Sequence, residues 1–147
     1  MTIPDGFVPI NIGTGFLASF GPLYVNREEG KLGFYVAAQH LNPFEVCHGG
    51  AIATFADMQI VAARKGSGTK LGRTPTINIS VDYLAPAALG AWVEADVTLV
   101  KATRTLIFTQ ALITANGELV ARSSGIYRNF SEDLGADTTQ EAGSADS

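Results

Sequence analysis

Short apolar runs separated by polar turns dominate this chain, and they predict strands on both sides of a single helix. Residues 20–25 and 32–38 flank a polar turn, which is typical of a β-hairpin. Residues 49–63 carry no charge except that of Asp57, and they are long enough for a helix of about four turns. Arg64 and Lys65 suit the C-terminal end of this helix, and Gly66 is a typical terminating residue.

Four further strands are predicted in the second half of the chain. In residues 76–84, strict alternation places the apolar side chains on one face and the polar ones, Thr76 among them, on the other. Residues 92–100 alternate in the same way, and residues 105–114 and 119–130 are joined by Asn-Gly, a strong hairpin signal. A helix that is apolar nearly all round must be covered on most sides. We therefore expect an α+β domain in which a curved antiparallel sheet wraps around one long apolar helix.

Composition indicates one globular domain with a weak net charge. The 147 residues are 46% hydrophobic and 16% charged, which is typical of a folded domain. Residues 131–147 contain five acids and no base, so we expect a disordered acidic tail after a domain at residues 20–130 and an N-terminal segment at residues 1–19. Without the tail, nine acids face ten bases, a balance too weak for a general nucleic-acid binder.

Cysteine usage and hydropathy indicate a cytoplasmic protein that binds no membrane. The single cysteine, Cys47, excludes an internal disulfide framework. No leader-like segment opens the chain, and no apolar run reaches the ~20 residues of a membrane helix. Cys47 is not expected to be a nucleophile, because no acid is spaced to orient the adjacent His48. His40 and His48 lack the clustered acids or cysteines of a metal site.

Asp57 is the strongest candidate for chemistry, because it is the only charged residue in the predicted helix. A carboxylate removed from water is costly unless it is paired or hydrogen-bonded, so such a residue is a better functional candidate than a surface acid. Gly49 and Gly50 open the same helix, where unpaired N–H groups and the helix dipole favour negative charge. The simpler alternative is that Asp57 is a core carboxylate satisfied by a serine or by the backbone.

The spacing of these residues resembles that of the PaaI-like hotdog-fold acyl-CoA thioesterases. In that family an Asn is followed six residues later by His-Gly-Gly, and an Asp lies nine residues beyond the His; here these are Asn42, His48 and Asp57. The Tyr83-x-x-Pro86 motif and the Asn-Gly hairpin also fit, and the similarity covers residues 20–130.

This resemblance implies hydrolysis of an acyl-CoA thioester to a free acid and CoA, without a metal or redox cofactor. The Gly49 N–H would stabilise the oxyanion, and Asp57 would act as a general base on water or as a nucleophile. In this family each site is shared between subunits, so a homodimer is implied, and a homotetramer as a dimer of dimers. The implied site residues are catalytic Asp57, Gly49, Asn42, His48 and Thr76, and substrate-binding Gly50, Phe44, Lys101, Arg104 and Arg128.

Simpler roles stay open for several of these residues. His48 could serve only to cap the helix, Asn42 only to form the turn before a proline, and Thr76 only as a strand residue. The basic residues could be scattered surface charge. The rival functions are a non-catalytic acyl-CoA sensor, for which no effector domain is visible, and a hotdog dehydratase, whose catalytic His and acid follow another pattern.

The chain departs from the family at two positions. Glu45 stands where relatives usually have a glycine, which changes the freedom of the loop and brings a second carboxylate near the expected site. Residues 102–104 are Ala-Thr-Arg, where relatives tend to have Gly-Arg or Gly-Lys. Phe44, Phe55 and Met58 near the helix suggest a medium-chain or aromatic acyl group.

Overall fold

Seven antiparallel strands form one sheet in the computed structural model, which describes residues 1–63 and 71–130. The order in the sheet is β1-β2-β3-β5-β6-β7-β4, so β4 lies at an edge. The predicted α+β architecture, an antiparallel sheet with a central helix, is confirmed. The strands are β1 (Val8–Pro9), β2 (Tyr24–Asn26), β3 (Lys31–Tyr35), β4 (Thr76–Tyr83), β5 (Trp92–Ala102), β6 (Leu106–Ala115) and β7 (Glu118–Arg128).

The central helix is interrupted, so the prediction of one long helix is wrong in this respect. It consists of α2 (Gly49–Ala56) and α3 (Gln59–Ala63), separated by a turn at Asp57 and Met58. The regular pattern fails because the Val61 N–H bonds to the Met58 carbonyl instead of the Asp57 carbonyl. Arg64, Lys65 and Gly66, predicted to end the helix, lie outside the described residues, as does the predicted tail at 131–147.

Burial differs sharply between the two helical segments. Every residue of α3 is buried against the inner face of the sheet, whereas one side of α2 is only partly buried. Apolar side chains from β3, α2 and β6, such as Phe34, Phe55 and Ile113, form the core between helix and sheet. Packing therefore fixes the C-terminal half of the helix and leaves one side of α2 open for other contacts.

The N-terminal part of the chain adds elements that periodicity did not predict. A short helix, α1 (Phe16–Phe20), takes up Phe20, which was predicted to begin a strand; that strand starts only at Tyr24. The Phe20 ring packs against Phe34 and His40, and a 3₁₀ helix (Ala38–His40) follows β3. No helix in residues 1–63 or 71–130 is both long and apolar enough to cross a membrane.

Candidate functional site

The predicted catalytic residues lie in two groups at opposite ends of α2. Asn42, His48, Gly49 and Gly50 surround the start of the helix, and we call them the helix-start group. Asp57 ends the same helix and contacts Thr76 on β4, and we call these two residues the acid pair. Eight residues of helix separate Gly49 from Asp57, which corresponds to about 12 Å at 1.5 Å per residue.

His48 caps the start of α2. Its Nδ1 accepts a hydrogen bond from the Gly50 N–H at 2.8 Å, and its carbonyl accepts from Ala51 and Ile52. A Cβ at Gly50 would lie 3.1 Å from that ring nitrogen, so the close cap favours glycine there. The Gly49 N–H makes no hydrogen bond to the part of the chain that the structure describes. It is thus the unpaired donor of this helix end.

Asn42 organises the loop that precedes this cap. Its Oδ1 accepts from the Phe44 N–H at 2.9 Å and from the Val46 N–H at 3.2 Å, and its carbonyl accepts from the Glu45 N–H at 2.9 Å. Glu45 has a positive φ of 65°, a conformation that suits glycine and costs an L-residue energy. The side-chain Nδ2 of Asn42 makes no hydrogen bond to a described residue, so this half of the side-chain amide is the one that could contact a substrate.

The acid pair is held by a β-bulge. The Thr76 hydroxyl donates to Asp57 Oδ1 at 2.5 Å, and Asp57 is only half-buried. Strict alternation predicted Thr76 on the same face as Asn78, which is wrong, because a register shift lies between these two residues and Thr76 bonds to Asp57 on the helix side. Asp57 is therefore neither a core carboxylate nor a lone acid, since a hydroxyl fixes one of its oxygens.

A groove of about 670 Å³ lies between α2 and β4, and we call it the α2–β4 groove. The acid pair lies in its wall, and most of the other lining residues are apolar. Met58 lines it as expected, but Phe55 is in the core and Phe44 is 85% exposed outside it. Two features were missed by sequence reasoning: Phe16 and Leu17 from α1 line the groove, and the Tyr83 hydroxyl donates to the Gly49 carbonyl at 2.6 Å.

The three basic residues expected to bind substrate lie elsewhere on the sheet. Lys101 and Arg104 are exposed around the β5–β6 turn, which the Thr103 side chain closes by accepting from the Leu106 N–H. Arg128 at the end of β7 lies 4.7 Å from the centre of the Phe130 ring, a cation–π contact. None of the three is among the described residues that line the groove.

Titratable groups near the helix start are unsuited to nucleophilic or metal chemistry. Burial raises the pKa of the Cys47 thiol to about 11, so this residue is a thiol and not a thiolate at neutral pH. Burial lowers the pKa of His40, whose Nδ1 accepts from the Ala37 N–H while Nε2 contacts the Phe20 carbonyl. Within the described residues, no three His, Cys, Asp or Glu side chains cluster as metal ligands would.

Comparison with known proteins identifies the family. The PA0474 protein of Pseudomonas aeruginosa, which is provisionally named an esterase, is 25% identical over 130 residues, covering 86% of this chain and 97% of that protein. A mutant of the phenylacetic acid degradation protein PaaI from Thermus thermophilus superposes with a TM-score of 0.61 at 22% identity, covering 85% of this chain and 94% of that one. The protein smu.793 from Streptococcus mutans UA159, solved with acetyl CoA, gives 0.62 at 19% identity, covering 89% and 94%.

These structural similarities establish a shared fold, and the family itself is established by the sequence. Residues 44–121, more than half of the chain, match the family described as the thioesterase superfamily. That segment contains both glycines of the helix start, Asp57 and Thr76. The chain therefore belongs to the thioesterase superfamily and has the hotdog fold of the PaaI proteins.

Proposed function

We propose that this protein hydrolyses acyl-CoA thioesters at sites shared between two copies of the chain. The observation that carries the proposal is the pairing of Asp57 with Thr76 in the wall of an apolar groove, on the same helix as an unpaired Gly49 N–H. Thioester hydrolysis requires that the attacking group be activated and the oxyanion be stabilised, and a carboxylate and a backbone donor can supply these two functions.

In the proposed reaction, the thioester carbonyl oxygen accepts a hydrogen bond from the Gly49 N–H. Water attacks the carbonyl carbon while its proton passes to the Asp57 carboxylate; alternatively the carboxylate attacks first and water then hydrolyses the resulting anhydride. The C–S bond breaks in either case, and the CoA thiolate leaves and takes up a proton. Thr76 holds the carboxylate, the Asn42 amide nitrogen orients the carbonyl or the water, and His48 maintains the helix start through the Gly50 N–H.

The proposed sharing of sites follows from distance. Gly49 and Asp57 of one chain are separated by about 12 Å of helix. An oxyanion donor must lie about 3 Å from the carbonyl oxygen, and a base must lie about 3 Å from the water that attacks the same carbonyl. A second copy can bring its Asp57 to the helix start of the first. The open edge of β4 offers a surface for that contact, because Ile77 and Tyr83 are 55% and 54% exposed. A further pairing of two such dimers would give the tetramer.

The proposed substrate class is an acyl-CoA with an apolar acyl group. The mostly apolar lining of the α2–β4 groove supports the acyl part. The smu.793 protein, which shares the fold and was solved with acetyl CoA, supports the CoA part. Lys101, Arg104 and Arg128 are the proposed contacts for CoA phosphates, and Gly50 and Phe44 are the proposed contacts near the thioester.

Release of free thiol from a panel of acyl-CoAs tests this function. The Asp57→Asn variant should lose at least ~10²-fold in turnover, the usual contribution of a positioned base. Asp5→Asn is a matched control, because this carboxylate is exposed near the N-terminus and is not among the described residues that line the groove. If the parent binds acyl-CoA but releases no thiol, the protein is a sensor. Full activity of Asp57→Asn would show that the proposed mechanism is wrong.

A further inference from the structure

The interruption of the central helix is maintained by a side chain from the far end of the sequence. With the Val61 N–H bonded to Met58, the Asp57 carbonyl has lost its regular helical donor. The Tyr127 hydroxyl on β7 takes that place and donates to the Asp57 carbonyl at 2.9 Å. Tyr127 is fully buried, and its pKa is raised by burial and by the Asp57 charge, so the hydroxyl keeps its proton.

A second buried group fixes the other side of the interruption. Gln59, the first residue of α3, is 0% exposed, yet both halves of its amide are bonded. Its Nε2 donates to Ser123 Oγ on β7 at 3.0 Å, and its Oε1 accepts from Thr109 Oγ1 on β6 at 2.9 Å. The Ser123 hydroxyl in turn donates to the Ser80 carbonyl of β4 at 2.8 Å. Buried polar groups arranged in this way specify a single geometry, since leaving any one unpaired is costly.

The sheet leaves space for this network at Gly125 on β7. A Cβ at that position would lie 2.8 Å from Thr109 Oγ1, 2.8 Å from a ring carbon of Tyr127 and 3.1 Å from Ile79. Any larger residue would have to displace the Thr109 hydroxyl or the Tyr127 ring. A glycine inside a strand weakens the strand, and here its position coincides with the hydroxyl network behind Asp57.

We propose that Tyr127 and Gln59 are positioning residues that set the place of the Asp57 carboxylate. The inference rests on the proposed function, in which Asp57 is the reacting acid. Tyr127 on β7 binds the Asp57 backbone and Thr76 on β4 binds its side chain. The sheet, and not only the helix, therefore fixes the position of the carboxylate. An uninterrupted helix would rotate and shift the carboxylate relative to Thr76, because an α-helix fixes each side-chain direction at 3.6 residues per turn.

Two substitutions that each remove one hydroxyl test the positioning role. Tyr127→Phe should lower kcat by at least ~10-fold with KM within about twofold, because small misplacements of reacting groups cost rate and not binding. Tyr35→Phe is the matched control, since its hydroxyl donates to the Thr2 carbonyl away from the groove. Thr109→Val should lower kcat in the same way, and Thr109→Ser, which keeps the hydroxyl, should restore it.

The structural readout separates positioning from general destabilisation. In Tyr127→Phe the Asp57 carbonyl should accept the Val61 N–H in place of the Met58 carbonyl, and a crystal structure should show a longer Asp57–Thr76 distance. Parent kcat in Tyr127→Phe and Thr109→Val, with Asp57→Asn inactive, would overturn the positioning role and leave the proposed function standing. A fully active Asp57→Asn would instead refute the proposed function itself.

Discussion

Mixing two inactive variants tests whether the helix-start group and the acid pair of different chains form one site. Gly49→Pro removes the proposed oxyanion donor while keeping the helix, since proline is favoured at the first helical residue. His48 already has φ −62° and ψ 138°, the extended conformation that a residue before proline adopts. Gly49→Ala is the control: it also places a Cβ about 3.3 Å from the Tyr83 ring but retains the N–H.

The magnitudes follow from the geometry. Loss of one oxyanion donor costs about 10²–10³ in kcat, and loss of the base costs at least ~10², so both homodimers should be nearly inactive. Asp57 and Gly49 lie about 12 Å apart on one chain, and they can therefore serve one carbonyl only when they come from two chains. In a Gly49→Pro/Asp57→Asn heterodimer one site carries both lesions and the other carries neither. Random reassortment makes half of the dimers mixed, so about a quarter of the parent sites should be intact.

The assay is thiol release after the two variants are unfolded together in urea, refolded and compared with each variant refolded alone. We expect the activity of the mixture to rise from nearly zero to about one quarter of that of the refolded parent. Gly49→Ala alone should retain most of the parent activity. A mixture that stays as inactive as its components, although mixed oligomers are detected with two affinity tags, refutes the shared site. Equal losses in Gly49→Pro and Gly49→Ala would show that the steric contact with Tyr83 matters and the N–H does not.

Three further outcomes concern residues around the helix start. Glu45→Gly should raise the urea midpoint, with a net gain of about 0.5–1 kcal/mol, because relief of the left-handed strain outweighs the added freedom of the unfolded chain; a lower midpoint would contradict the strain argument. The pKa of His40 lies below 6.5 in the folded state, so the unfolded state binds more protons. The free energy of unfolding should therefore fall as the pH drops below 6.5, by at most about 1.4 kcal/mol per pH unit. Urea titrations between pH 7 and 5 should show a smaller slope for His40→Asn. Cys47, with its pKa near 11, should react with a disulfide reagent at pH 8 only after unfolding, and rapid labelling of the native protein would contradict its burial.

Local signals account for the parts of the fold that could be predicted from the sequence. The alternation in residues 76–84 identified β4, and the Asn-Gly pair identified the β6–β7 hairpin, where Asn116 and Gly117 both have positive φ. The predicted and observed strand ends differ by only a few residues. The agreement is close because the apolar positions of a strand and the turn residues that end it are neighbours in sequence. The spacing of the motif likewise placed Gly49 at the start of one apolar stretch and Asp57 about two turns along it.

Features set by distant contacts were not predictable. The hydrogen-bond partner of the Asp57 carbonyl at the interruption, Tyr127, lies 70 residues further along the chain, and nothing within residues 49–63 indicates a break. Thr76 turns inward because of a bulge against β7, which alternation along one strand cannot indicate. The contact between the Tyr83 hydroxyl and the Gly49 carbonyl joins an edge strand to a helix start, so it depends on the tertiary arrangement alone.

The open edge of β4 has a consequence for how this chain behaves in a cell. Within residues 1–63 and 71–130, no strand pairs with the outer side of β4, and Ile77, Tyr83 and Leu84 beside this edge are exposed. Such an edge also pairs with wrong neighbours, which is a route to aggregation. In the proposed dimer a second copy covers this edge, so expression level and dilution become determinants of solubility. Substitutions on β4 should accordingly lower the yield of soluble protein through precipitation before they change the melting temperature of the purified protein.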